Sequence, residues 1–142
     1  MQKSLLIFFI FLGLLSCKNG DEKPKVSNAD LQMYEASEMT ILMRQMYEVN
    51  KVVKNQIVNK DSLLAFPDDF KRIHTAVLTD PSERDDEFNV LATSFIDLQK
   101  ETLSIHSDSI IVNYNKSINT CIKCHETRCT GPIPKIKKLL IK

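Results

Sequence analysis

Tryptophan is absent from these 142 residues, glycine occurs three times, and basic residues outnumber acidic ones by only 19 to 18. So even a charge balance excludes the broad phosphate affinity of a nucleic-acid-binding surface. The glycines, at positions 13, 20 and 131, make no phosphate loop, and neither a nucleophile elbow nor a catalytic pair of carboxylates appears in a suitable context. Sustained two-residue alternation of apolar and polar side chains is also missing, which leaves an all-α reading. No methionine follows Met46.

What is present is concentrated near the C-terminal end: Cys121, Cys124 and His125 form one C-x-x-C-H run. That run is the attachment signature for covalent haem. Residues three and four apart share a helix face, so two thiols can reach the two vinyl groups of one porphyrin while an imidazole meets the iron from the same side. Zinc and thiol exchange are the competing chemistries. A tetrahedral set of Cys121, Cys124, His125 and Cys129 matches no common zinc spacing, and a thioredoxin-like site needs an α/β context that is missing here. Cys129 reads as a buried small apolar residue with no assigned chemistry.

At the other end Lys3, the apolar stretch 5–15 and Ser16-Cys17 read as an export signal, too short to span a bilayer permanently. Leu14-Leu15-Ser16-Cys17 resembles the lipobox of bacterial lipoproteins, which implies cleavage before Cys17 and acylation of its thiol. Removal of residues 1–16 takes away Lys3 alone, leaving 18 basic and 18 acidic residues in a chain sized for one domain. Residues 17–28 then form a solvated tether, and 29–142 form the folded domain with a short basic tail from 135 to 142. The expected location is the periplasmic side of a bacterial membrane, at the outer membrane or cell surface in one variant of this reading.

Four amphipathic helices are predicted. The first buries Ala36, Met39, Met43, Met46, Asn50, Val53 and Ile57; the short second follows Pro67 and turns Phe70, Ile73 and Val77 inward. Asp80-Pro81-Ser82-Glu83 starts the third, with Phe88, Leu91, Phe95, Leu98 and Thr102 inward. The fourth opens near Ser107 and Asp108, buries Ile111, Tyr114, Ile118, Cys121 and His125, and stops at Gly131, Pro132 and Pro134. Together they predict an antiparallel four-helix bundle with haem at one end of its core.

This pattern resembles the class II cytochromes c, the group that includes cytochrome c prime, across most of residues 29–128. Cys121-Ile122-Lys123-Cys124-His125 carries the likeness, and Tyr114 stands seven residues before the motif, where an aromatic commonly lies in that group. The resemblance implies one haem c on the last helix of a four-helix bundle, a distal side supplied by the first helix, Tyr114 beside the cofactor, and room for a dimer. Cys129 and Gly131-Pro132-Ile133-Pro134 depart from it, where the family's helix would continue.

With no methionine beyond Met46, a methionine as sixth iron ligand has to come from the first helix. Met43 is the central candidate, with Met39 and Met46 as alternatives and His74 on the second helix as competitor; His106 reads as a cap or surface residue. The expected function is single-electron transfer outside the cytoplasm. The alternatives are a five-coordinate haem that binds nitric oxide or carbon monoxide, weak peroxidase-like turnover with His74 as the distal group, and a zinc-binding or structural lipoprotein. Seven basic residues against Glu126 alone in 116–142 suggest an acidic redox partner steered to the haem motif.

Overall fold

The computed structural model describes residues 35–104 and 109–142. Cys17, the expected signal and tether, His106 and the expected start of the last long helix at Ser107 and Asp108 lie outside the described residues. Among the described residues every regular element is helical, and no helix is long and apolar enough to cross a membrane.

Helix α1 runs Glu38–Asn59. Its first turn is capped by the Ser37 hydroxyl, which accepts from the Thr40 backbone N–H at 3.2 Å, with Glu38 favourably placed at the positive end of the helix dipole. Lys60 ends the helix in the left-handed region at φ 59°, and its N–H and that of Asp61 close back on Ile57 and Gln56. The expected stripe of Met39, Met46, Asn50, Val53 and Ile57 is buried; Leu42 joins it, while Met43 is half-buried.

The second expected helix is a 3-10 helix, Asp68–His74. Inside it Phe70 and Ile73, three residues apart, are buried. The helix ends at His74, so Ala76 and Val77 lie past it; Ala76 is buried, and Val77, predicted inward on an α period, is 59% exposed. Arg84 closes the segment: its guanidinium donates to the carbonyls of Ile73, His74 and Ala76 at 3.1, 2.6 and 2.6 Å.

Asp80 starts only a single 3-10 turn, Pro81–Glu83, rather than the long helix predicted from it. Its carboxylate is spent on the Ser82 N–H and hydroxyl. A second aspartate, Asp85, accepts from the Phe88 N–H at 2.7 Å and opens α2, Asp86–Ser104. Inside α2 the expected Phe88, Leu91, Phe95 and Thr102 are buried; the stripe is wider than expected, with Ala92, Ile96, Gln99 and Leu103 also buried, and only Leu98 is half-buried.

Helix α3, Ile110–Thr127, buries Asn113, Tyr114, Ser117, Ile118 and Ile122; Ile111, expected inside, is 42% exposed. It runs antiparallel to α2, since Arg128 just past its end meets Asp85 and Glu87 while Ser117 farther back meets Gln99. The expected basic tail is not a tail. Short helix α4, Ile133–Ile136, and the 3-10 turn Lys137–Leu139 fold back, burying Ile136 and Leu139 against Val53, Ile57 and Ile118. Lys54 Nζ donates to the Lys138 and Leu140 carbonyls, and the Asn115 amide exchanges two hydrogen bonds with the Ile141 backbone, at 2.8 and 2.9 Å.

The apolar interior forms two clusters. One holds Met39, Leu42, Met46, Phe70, Ile73, Phe88 and Phe95, and the other Val53, Ile57, Tyr114, Ile118, Ile136 and Leu139. Each fully buried aliphatic or aromatic side chain among them contributes about 1.5–3 kcal/mol.

Candidate functional site

Four helical segments converge on one apolar cleft that opens to solvent. Met43 and Met46 come from α1, Ile73 from the 3-10 helix, Phe88, Leu91, Ala92 and Phe95 from α2, and Thr120, Cys121, Cys124 and His125 from α3. The whole C-x-x-C-H motif therefore faces two of the candidate methionines. Met39 is buried in the adjacent cluster, and His74 is half-buried on the 3-10 helix; neither lines the cleft.

The two thiols differ in setting. Cys121 donates its S–H to the Ser117 carbonyl at 3.5 Å one turn back, and burial together with the neighbouring Cys124 pushes its pKa up to about 12. Burial raises Cys124 as well, against the opposing pull of the Arg128 guanidinium. Both are thiols rather than thiolates at neutral pH.

His125 Nδ1 lies 2.7 Å from the Cys129 carbonyl. A carbonyl oxygen only accepts, so Nδ1 carries the proton and Nε2 is left as the unprotonated nitrogen of the neutral ring. That is the arrangement of a metal-ligating histidine, whose second nitrogen is fixed by an outer partner. Cys129 thus has a role through its backbone that its side chain did not suggest; the thiol itself is exposed.

Arg128 secures the turn that supplies this carbonyl. Its side chain is only 10% exposed, pairs with Asp85 at 2.6 Å and Glu87 at 3.2 Å, and donates to the Glu83 carbonyl. Burial is the largest single influence and works against its charge, but the bond to and charge of Asp85, with Cys124 and Glu87, together outweigh it and the pKa is raised. Arg84 and Arg128 both lie near the Phe88 ring, at 5.0 and 6.0 Å from its centroid, holding the ring that walls the cleft.

Tyr114, expected beside the cofactor, does not line the cleft. It is wholly buried in the second cluster, its hydroxyl donates to the Asn50 carbonyl at 2.9 Å, and burial raises its pKa. Of the basic residues expected around the motif, Arg128 lies beside Phe88 on the cleft wall, whereas Lys135 sits 4.1 Å over the Tyr47 ring. Exposed Asp85, Asp86 and Glu87 also flank the wall at Phe88.

Among the described residues no three His, Cys, Asp or Glu side chains converge as a metal site. The tetrahedral zinc set of Cys121, Cys124, His125 and Cys129 is therefore not assembled. The residues do suit a haem: two thiols one helical turn apart on one face, an imidazole with Nε2 free, thioethers across the cleft and apolar walls. The cavity measures about 40 Å³, too small for a porphyrin unless flexible side chains such as Met43 and Met46 move aside.

No family model, curated protein or solved structure matches this chain.

Proposed function

We propose that the chain is an exported c-type cytochrome that carries single electrons. Cys121 and Cys124 would hold the haem as thioethers, His125 Nε2 would ligate its iron, and Met43 would supply the second protein ligand. Met43 lines the cleft half-buried, whereas Met46 is only 6% exposed. When bound, the group supplies a one-electron iron couple. The protein's part is to fix the imidazole through the Cys129 carbonyl, to exclude water with Phe88, Leu91 and Phe95, and to leave one edge open to a redox partner.

The observation that carries this reading is the bond from His125 Nδ1 to the Cys129 carbonyl, which presents Nε2 as a ligand in the same cleft as both motif thiols. The helix directions support a four-helix bundle with the 3-10 helix in second place. Helix α3 runs against both α1 and α2, as the last helix of an up-down-up-down bundle does. Lipidation at Cys17 and residence on the periplasmic side of a membrane belong to the same proposal.

Co-expression with cytochrome maturation machinery tests it. The expected product is red, stains for haem after denaturing electrophoresis, and gains the mass of one macrocycle; a colourless product of unmodified mass refutes it. The apolar cleft also favours a second reading, a five-coordinate haem binding nitric oxide or carbon monoxide. A high-spin wild-type spectrum, insensitive to Met43→Ala, would select that reading over electron transfer.

A further inference from the structure

One group of buried polar side chains has no part in holding or ligating the cofactor. Asn50 is 2% exposed and Gln99 and Ser117 are fully buried, one on each of the three long helices. The Asn50 amide donates to the Met46 carbonyl at 2.9 Å, and its oxygen accepts from Gln99 Nε2 at 3.1 Å. Gln99 Oε1 in turn accepts from the Ser117 hydroxyl at 2.8 Å, and the Ser117 carbonyl accepts the Cys121 S–H. The relay therefore begins at one cleft residue, Met46, and ends at another, Cys121, on the opposite wall. No buried side-chain nitrogen or oxygen among the described residues lacks a partner, so the chain is closed at both ends.

Apolar contacts would hold the same three helices together without fixing their register, because they are non-directional. A relay of directional bonds, each costly to leave unmade in a dry interior, permits one spacing. We infer that Gln99 is a positioning residue: by tying Asn50 below Met46 to Ser117 below Cys121, it sets the distance between the methionine-bearing wall and the haem-bearing wall, and so decides whether the sixth iron position is filled. This rests on the haem reading, and it extends that reading to a residue that touches no cofactor.

The test compares haem-loaded wild type with Gln99→Leu, reading the oxidised absorption spectrum and the rate at which carbon monoxide binds the reduced form. Wild type is expected to be low-spin. Gln99→Leu keeps its covalent haem but turns substantially high-spin, and carbon monoxide binds about tenfold faster, the factor expected from one disrupted buried bond. Ser117→Ala, which removes a single donor, gives the same change in smaller measure and serves where Gln99→Leu does not fold. Thr102→Val deletes a buried hydroxyl on the same helix outside the relay, where it bonds only the Leu98 carbonyl. It should lower the melting temperature without moving the spectrum. A low-spin wild type whose spectrum and carbon monoxide rate survive Gln99→Leu, or survive Ser117→Ala where that variant is the one read, overturns the inference alone. A colourless or high-spin wild type overturns the underlying reading, and the inference falls with it.

Discussion

The two ends of this small domain are built from different materials. Around Val53, Ile57, Tyr114 and Ile118 the packing is made of branched and aromatic side chains at 0–7% exposure, sealed by Ile136 and Leu139 from the returning C-terminus. Around Cys121 and His125 the walls are methionine and phenylalanine, and the space between them opens to solvent. Stiff side chains suit a region that has one arrangement to keep, and thioethers suit one that must re-form around a guest. Between the two lies the buried relay through Asn50, Gln99 and Ser117. The contrast indicates that the closed end carries the stability of the chain and the open end its chemistry.

The sharpest break of that contrast is chemical. Replacing both Cys121 and Cys124 by alanine should abolish covalent haem entirely, read as loss of haem stain and of the added mass, while circular dichroism of the variant stays helical. The closed end alone should suffice to keep the helices.

Core truncations come next. Ile118→Ala at the closed end should cost about 2–5 kcal/mol in denaturant unfolding, the range for a fully buried aliphatic side chain. Met43→Ala on the cleft should cost well under half as much in the haem-free chain, because the side chain is already half-buried beside open space. In the haem-loaded protein the order of effects reverses: Met43→Ala converts the spectrum toward high-spin and Ile118→Ala leaves it alone. Equal destabilisation by the two would erase the proposed division of labour.

A pH dependence separates the haem-free from the loaded form. The Cys121 thiol has a folded pKa raised to about 12 by burial, against about 8.5 for a free cysteine. A raised folded value means that its contribution is fully present below about 8.5 and is lost as pH rises toward 12. The haem-free chain should therefore melt at progressively lower temperature above about pH 8.5. Thioether formation removes the titrating proton, so the loaded protein should lack that slope. At the acid end Asp85 titrates the opposite way. Its pKa is lowered, first by the Phe88 N–H and then by Arg128, so what it contributes persists above about pH 4 and is lost below it.

Much of this was legible in the chain, and the failures share a cause. Periodicity found α1 and most of the inward positions of α2 and α3, because a three-to-four step is the same whatever packs against it. The motif found the cleft, since two thiols and an imidazole at that spacing leave little else to do. The α period expected through Val77 holds at Phe70 and Ile73 and then fails, because the 3-10 helix ends at His74. The α2 start was misread because Asp80 and Asp85 both look like caps, and only the local bonds show which opens the long helix. Helix α3 ends at Thr127, short of the stop expected at Gly131 and Pro132, and a lysine-rich sequence hides the burial of Ile136 and Leu139 at the spacing of one turn. Gln99 and Ser117 were passed over as ordinary polar residues; their signal is position, each falling within an apolar stripe.

The smallest effect bears on Tyr114, which the family resemblance set beside the cofactor and the fold sets in the closed end. Tyr114→Phe removes the hydroxyl that donates to the Asn50 carbonyl, leaving the ring and its packing in place. That carbonyl belongs to α1, so its helical bond partner remains and the loss should be about 1 kcal/mol, measured by urea unfolding. Because Asn50 keeps its side-chain bonds to Met46 and Gln99, the relay survives and the haem spectrum should not move. A spectral shift without a stability change would return Tyr114 to the cofactor's side of the molecule and dissolve the boundary between the two ends.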